Sequence, residues 1–273
     1  MPGPNFMVIG AQKCGTSWLS EMIRQHPDVY APIRKELHFF NLRRNYRRGM
    51  DWYQGQFSDY GGQKAIGEFT PNYLWICPNQ QEVEERGVID NIPQIVHRWY
   101  PDLKMIVCMR DPVKRAMSAH CHFMRSRTFP PTSRIMDVGY TNGIITMGYY
   151  YKQISEWLKY FPRENFLFLV YEEDVLRNKM ATMRTVFRFL GVDESFVPER
   201  MDEKYNVRSG DLYLRMNYYF PSFTKKSFRV FPFLYSVNFP KIEWSDGEIR
   251  QLSKMYAEAN SGLSGLINRS VPW

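Results

Sequence analysis

The sequence predicts an α/β fold in which a central parallel sheet is flanked by helices. Three observations carry that expectation. Short apolar runs at Asn5–Gly10, Leu103–Met109 and Asn165–Tyr171 have the length of buried strands. Each is followed by a helix-start signal and a segment of helical periodicity. Strands separated by helices pair in parallel, because the crossover helix carries the chain back to the same end of the sheet.

The elements follow in order. Asn5–Gly10 (N-F-M-V-I-G) reads as a strand that runs into a glycine turn and a helix from about Thr16 to Gln25. His26-Pro27-Asp28 ends that helix, since proline neither continues it nor tolerates a helical residue before it. Pro78–Tyr100 reads as one helix, kinked or broken at Pro93. After the strand at 103–109, Asp111-Pro112 supplies a side-chain cap and a first-turn proline, so a helix should run to about Met124. A Pro/Ser/Thr-bearing loop covers 126–143, and an amphipathic helix covers roughly Thr146–Tyr160. The strand at 165–171 leads into a helix over Asp174–Leu190, stopped by Gly191. Ser245–Ile267 reads as a closing helix. With no internal repeat and no low-complexity linker, residues 1–273 are expected to form a single domain.

Composition narrows the function classes. Hydrophobic residues make up 44% and charged residues 23%, which is globular and excludes a disordered or collagen-like chain. No apolar run reaches the ~18 residues of a membrane span. The N-terminus shows no basic leader or cleavable apolar region, so no secretion signal is expected. Cys14, Cys77, Cys108 and Cys121 are irregularly spaced with no C-x-x-C. That spacing argues against a disulfide framework or zinc site and for a reducing, cytoplasmic setting. Lys and Arg outnumber Asp and Glu by 36 to 28, and a surplus of +8 points to an anionic partner without choosing one. Aromatic residues crowd into 204–244, with Lys225, Lys226 and Arg229 among them. This segment reads as a packed flap with a solvated basic edge, as an acceptor pocket or lid, or, third, as a membrane-surface contact.

The most informative stretch is Gly10-Ala11-Gln12-Lys13-Cys14-Gly15-Thr16-Ser17-Trp18. It follows an apolar strand and opens a helix. In that setting glycines let backbone N–H groups close around an anion, and the helix N-terminus adds unpaired donors and a favourable dipole. The nucleoside-triphosphate version of the motif is G-x-x-x-x-G-K-[ST]. Here the glycine spacing matches, but Thr16 follows the second glycine and the lysine lies inside the loop at Lys13. A lysine there meets a shorter anion at a different angle. The bland alternative is a glycine turn with a solvated lysine.

A second anion site stands at the end of the 103–109 strand. Arg110 offers a planar fork matched to phosphate, at the sheet edge where open α/β folds bind ligands. Ser118, eight residues on, adds a hydroxyl. Alternatively, Arg110 pairs with Asp111 or caps the strand. Two anion sites at two strand ends suggest a nucleotide phosphorylated at two places.

These segments resemble the sulfotransferases that use 3′-phosphoadenosine 5′-phosphosulfate (PAPS), most of all the branch with the heparan sulfate sulfotransferases and bacterial relatives. The resembling elements include G-A-Q-K-C-G-T-S-W-L (10–19), H-P-D-V (26–29), K-E-L-H-F-F-N (35–41) and D-W-Y-x-x-x-F (51–57). G-E-F-T-P-N-Y-L (67–74), M-I-V-C-M-R-D-P-V-K-R-A-M-S (105–118), L-V-Y-E-E-D-V-L (169–176) and F-R-F-L-G-V (187–192) complete the set in family order. The resemblance implies a P-loop NTPase-like sulfotransferase fold. It also implies that Lys13, Cys14 (through its backbone), Gly15, Thr16, Ser17 and Trp18 hold the 5′-phosphosulfate, and that Arg110 and Ser118 hold the 3′-phosphate. Arg208-Ser209-Gly210 is the candidate for the family's further basic loop. Glu36 falls on the family's general base, with His38 as orienter or alternative base if the extended chain puts both on one face. The bland alternatives are a Glu36 ion pair with Lys35 or Arg34 and a structural His38.

Two departures qualify the resemblance. Phe69 stands where the heparan enzymes have lysine, and their substrate-loop cysteine pair is missing, which points to a smaller or less acidic acceptor. The expected reaction is in-line sulfuryl transfer to a hydroxyl or amine of a small molecule or glycan, releasing 3′-phosphoadenosine 5′-phosphate (PAP). No metal and no nucleic acid partner is expected. His120-Cys121-His122 is not read as a metal site, because neighbours at i and i+2 on a helix point apart. The competing classes are a small-molecule kinase with an atypical P-loop and a non-catalytic module for nucleotides or polyanions.

Overall fold

Strands β1 (Phe6–Gly10), β2 (Val29–Tyr30), β3 (Ala65–Phe69), β4 (Lys104–Met109) and β5 (Phe166–Val170) form one parallel sheet in the order β2-β3-β1-β4-β5. The structure is a computed structural model that describes residues 3–78, 80–203, 210–222, 224 and 243–273. The aromatic segment expected at 204–244 therefore lies mostly outside the described residues, as do Arg208 and Ser209. Every residue of β1 and β3 is buried, which explains their unbroken rather than alternating apolar pattern.

Around the sheet run α1 (Thr16–Arg24), α2 (Arg43–Tyr46), α3 (Met50–Gly55), α4 (Gln80–Arg86), α5 (Ile92–Trp99) and α6 (Pro112–Arg125). They are followed by α7 (Ile135–Val138), α8 (Tyr150–Leu158), α9 (Lys179–Leu190), α10 (Asp211–Tyr219), α11 (Asp246–Ala259) and α12 (Leu263–Ile267). Two apolar clusters position the site. One packs helices onto the sheet; the other sets Ala116, Ala119 and Met124 of α6 against Ile144, Leu214, Leu252 and Tyr256. Chain order reverses across β1: after β1 the chain goes to β2 and β3 on one side, then to β4 and β5 on the other. The carboxyl ends of β1 and β4 thus open a crevice at the topological switch point, the usual ligand position in such sheets.

The structure departs from several expectations. The helix expected over 78–100 is two, α4 and α5, and Pro93 lies in the first turn of α5 rather than at a kink. Proline lacks an N–H that a first turn would leave unpaired anyway. The helix expected from Asp174 begins at Lys179, because Tyr171–Val175 forms a π-type turn closed by Leu176 N–H to Tyr171 O, 3.0 Å. The amphipathic helix begins at Tyr150, after a 3₁₀ turn over Thr146–Gly148. The closing helix is α11 and α12, separated at 260–262. Strands β2 and β3 were not expected as strands.

Candidate active site

The loop between β1 and α1 is shaped for an anion. Lys13 (φ 71°) and Gly15 (φ 87°) both occupy the left-handed region, and Cys14 N–H closes the turn on Ala11 O at 3.2 Å. Only glycine fits at 15, since a Cβ there would meet Tyr171 Cδ2 at 2.7 Å. Gly15 caps α1 without a side-chain partner, so the first N–H groups of the helix stay available to a ligand. The Cys14 side chain is buried, its Sγ 3.6 Å from Tyr150 Oη, and burial pushes its thiol up to about 11. Cys108 Sγ–H donates to Cys14 O at 2.9 Å. Cys14 is thus inert packing, and what it offers a ligand is backbone.

Arg110 stands beside this loop. Its Nη1 donates to Lys13 O at 3.4 Å, and its guanidinium lies 4.9 Å from the Tyr171 ring centroid. Arg110 Nε is buried without a hydrogen-bond partner among the described residues, which is what a donor reserved for an absent oxyanion looks like. Tyr150 fixes this region by donating to Arg110 O at 2.8 Å and accepting from Arg110 N–H at 3.3 Å. Burial, then the charges of Arg125 and Arg110, lower the Lys13 ammonium to about 8. The cluster therefore holds surplus positive potential. Asp111 does not pair with Arg110; its Oδ1 caps α6 by accepting from Val113 N–H and Lys114 N–H at 2.9 and 3.2 Å. Ser118 lies half-buried in α6.

The other predicted donor-site residues are placed less uniformly. Thr16 and Ser17 are in the first turn of α1, and Ser17 Oγ accepts from Lys35 Nζ at 2.9 Å. Trp18 turns its indole away, donating to Met201 O at 2.9 Å, which leaves its backbone as its contribution at the helix start. Gly210 is the cap residue of α10. Arg208 and Ser209 lie outside the described residues.

On the acceptor side, Glu36 Oε2 lies 3.2 Å from His38 Nε2, and His38 Nδ1 lies 3.3 Å from Asn41 Oδ1. The segment is not extended at His38, whose φ is 51°; the turn there still brings imidazole and carboxylate together. Lys35 Nζ is 3.6 Å from Glu36 Oε1, so the ion pair read as an alternative is present beside the His38 contact. Burial pushes the Glu36 carboxyl up, but His38 and Lys35 together hold it below the ordinary carboxylate range. Beneath this loop, the buried Glu68 accepts from Thr70 Oγ1 (2.7 Å), Tyr73 Oη (2.6 Å) and Tyr53 Oη. Thr70 Oγ1 in turn accepts from His38 N–H at 3.4 Å. Phe69 is buried, edge-on to Phe6 and 5.1 Å under Arg24.

Sequence reasoning missed Tyr150, Tyr171, His122 and Arg125. The two histidines of His120-Cys121-His122 part company as expected. His120 Nδ1 accepts from Trp244 Nε1–H at 3.2 Å, whereas His122 Nδ1 lies 3.4 Å from Arg125 Nη2.

The sulfotransferase domain family model matches residues 3–209. Heparan sulfate glucosamine 3-O-sulfotransferase 6 of Mus musculus is 31% identical over 196 residues, covering 69% of this chain and 52% of that protein. Heparan sulfate glucosamine 3-O-sulfotransferase 3B1 of Mus musculus is 32% identical over 197 residues, covering 69% and 46%. The chain thus spans about half the length of the curated relatives it matches. A sulfotransferase structure from Alicyclobacillus acidocaldarius superposes with a TM-score of 0.70 at 24% identity, covering 99% of this chain and 98% of that one. That likeness speaks for the fold. The family match over residues 3–209 and the relatives at 31% and 32% identity show that the chain belongs to the PAPS-dependent sulfotransferase family.

Proposed function

We propose that this chain transfers a sulfuryl group from PAPS to a hydroxyl or amine on a small molecule or glycan. The observation that carries the reading is the meeting of two unlike half-sites. The helix opened by the Lys13 loop, beside the orphaned Arg110 Nε, is joined to a carboxylate through Lys35, whose Nζ donates to Ser17 Oγ at 2.9 Å and lies 3.6 Å from Glu36 Oε1; His38 and Lys35 hold that carboxyl below the ordinary carboxylate range. The residues present fit a donor phosphorylated at two places. Lys13, the α1 N–H groups and Ser17 would hold its 5′ end, and Arg110 with Ser118 its 3′-phosphate. The bound donor supplies the sulfuryl group.

The chain's residues do the rest. Glu36 takes the acceptor's proton as the bond to sulfur forms, an effect worth roughly 10²–10⁴ in rate. Lys13 and the loop N–H groups meet the charge that grows on the departing phosphate oxygen, as preorganised donors do in phosphoryl transfer. His38 orients Glu36, and Asn41 steadies His38 from its far nitrogen. Relatives named for heparan sulfate support a saccharide acceptor; the buried Phe69 supports one less acidic than heparan. No helix among the described residues is long and apolar enough to cross a membrane, and none of the four cysteines forms a disulfide. The unbridged thiols support a cytoplasmic setting.

Calorimetric titration of wild type and Lys13→Ala with PAP, and with ATP plus Mg²⁺ as the control, tests the reading. Preferential binding of the bisphosphate, weakened by the substitution, is expected. Preference for ATP would replace this reading with the kinase. Glu36→Gln should leave PAP affinity unchanged and lower turnover by roughly 10²–10⁴; a module without catalysis would have no turnover to lose.

A further inference from the structure

The reaction proposed above gives no task to the G-E-F-T-P-N-Y-L segment (67–74), yet that segment is bonded to the turn that carries the base. Glu68 is buried in β3, opposite Met7 of the central strand β1. Its Oε1 accepts from Thr70 Oγ1 at 2.7 Å and from Tyr73 Oη at 2.6 Å, and its Oε2 accepts from Tyr53 Oη. A hydroxyl has one proton to give, so each of these oxygens is left with lone pairs alone. What two of them receive is the backbone beside the base. Thr70 Oγ1 accepts from His38 N–H at 3.4 Å, and Tyr73 Oη accepts from Phe39 N–H and Phe40 N–H at 2.9 and 3.4 Å. Asn45 Nδ2 closes the other side by donating to Leu37 O and His38 O, both at 3.1 Å.

The turn needs this grip. His38 has a φ of 51°, in the left-handed region, where a residue other than glycine stays only if surrounding contacts over-determine it. The same turn brings His38 Nε2 to 3.2 Å from Glu36 Oε2. Phe39, Phe40, Tyr53 and Tyr73 are buried, and Tyr53 stacks on Phe39 at 4.6 Å between centroids, so an N–H left unpaired there is costly. We propose that Glu68 is a positioning residue for the base. By taking the protons of Thr70 and Tyr73, it makes their oxygens acceptors for three consecutive N–H groups and fixes the turn that sets His38 against Glu36. The inference rests on the sulfotransferase reading, in which Glu36 takes the acceptor's proton; Glu68 acts only through the turn. Burial pushes the Glu68 carboxyl up, while the three hydroxyls and His38 pull it down. A proton gained there goes to Oε2, beside Tyr53, because Oε1 already faces two donors, and the grip on the turn survives. Glu36 is faced by Lys35 and His38 of its own segment, Lys35 being held in turn by Ser17 of α1, and its charge is felt by His122 of α6. Of these, the network controls His38.

The test reads the base directly, through the side-chain ¹³C resonance of Glu36 in a pH titration, assigned by its absence in Glu36→Gln. Wild type should titrate below the ordinary carboxylate range. Tyr73→Phe and Glu68→Leu should raise the midpoint by about one pH unit, because burial then acts without the His38 contact. Thr70→Val should raise it less, its bond to the turn being the longer. Glu68→Gln keeps an Oε1 acceptor and Thr70→Ser keeps the hydroxyl, so both should stay near wild type. Hydrogen exchange at Phe39 and Phe40 N–H should speed by about tenfold or more in Tyr73→Phe, with β1 unchanged. PAP affinity by calorimetry should stay within about twofold throughout, since Tyr150 and Tyr171 hold the donor loop by other contacts. If Glu68→Leu does not fold, the single-oxygen variants Tyr73→Phe and Thr70→Val decide the matter. A Glu36 midpoint unmoved in folded Tyr73→Phe, or one that moves together with loss of PAP binding, overturns the proposal. Wild type that binds no PAP sinks the sulfotransferase reading instead, however Glu36 titrates.

Discussion

Lys13 is a cation placed where cations are disfavoured. The loop holds it at φ 71° and buries its ammonium beside two arginines, which brings it down to about 8. A bound phosphate favours the charged form, so the complex holds the proton more tightly than the free protein does. By linkage, affinity is full below about pH 8 and falls as pH rises above it, until the higher value of the complex is passed. PAP affinity should therefore be level from pH 7 to about 8 and then drop by up to about tenfold per pH unit. Lys13→Ala should be weaker at pH 7 and flat over that range; calorimetry at four or five pH values decides it. Lys13, Arg110 and Glu36 were legible in the sequence because each sits at a strand end or in a contiguous motif. Tyr150 and His122 were not. Each lies mid-helix, where an aromatic or a histidine at helical spacing reads as packing. Only the packing of α8 against the loop gives Tyr150 its partners, Cys14 and Arg110, whereas His122 meets Arg125 of its own helix.

At the level of elements, α6 is anchored beside Arg110. It starts directly after that residue and carries Ser118, His122 and Arg125 at i, i+4 and i+7. Its first turn depends on Asp111, the carboxylate that accepts from Val113 and Lys114 N–H. The sequence announced this cap through Asp-Pro, as it announced β1, β4 and β5 through unbroken apolar runs. Strand β3 stayed hidden because A-I-G-E-F carries a glycine and a glutamate, both uncommon in strands. The structure explains both. A Cβ on Gly67 would lie 2.0 Å from Phe6 Cζ, and Glu68 is received by the three hydroxyls of Tyr53, Tyr73 and Thr70. Phe6 and Tyr53 are far from β3 in sequence, and Thr70 and Tyr73 follow it outside the strand, so no alternating pattern betrays it. Asp111→Ala should lower stability by about 1 kcal/mol, the usual worth of a side-chain cap. It should also weaken PAP binding, because the turn that frays adjoins Arg110. Denaturant unfolding and calorimetry on the same variant check both; a stability loss with unchanged affinity would mean Arg110 is held by Tyr150 alone.

Across the whole molecule, the end of the chain is fastened to the donor loop through one arginine. Arg269 Nη1 donates to Phe168 O at 3.1 Å and lies 2.7 Å from Asp174 Oδ2, while Nη2 donates to Glu173 Oε2 at 2.8 Å. Asp174 Oδ2 also accepts from Val170 N–H at 2.5 Å, so the guanidinium braces the end of β5 and the π-type turn that follows it. Tyr171 belongs to that turn, and its ring closes on Gly15 and lies beside Arg110. The path from residue 269 to the phosphate loop is thus three contacts long. Arg269 and Glu173 are each about one-third exposed, at 30% and 34%, so water screens part of their attraction. Arg269→Ala should accordingly cost toward the low end of the about 1.5–3 kcal/mol given for hydrogen bonds to charged groups. Its second effect distinguishes a brace from a tether. If the turn positions Tyr171 for the loop, PAP affinity falls severalfold in Arg269→Ala and is partly kept in Arg269→Lys, which retains the charge but loses the fork. Thermal unfolding with and without PAP reads both quantities at once. A lower melting temperature with an undiminished shift on adding PAP would show that Arg269 fastens the terminus without steadying the loop.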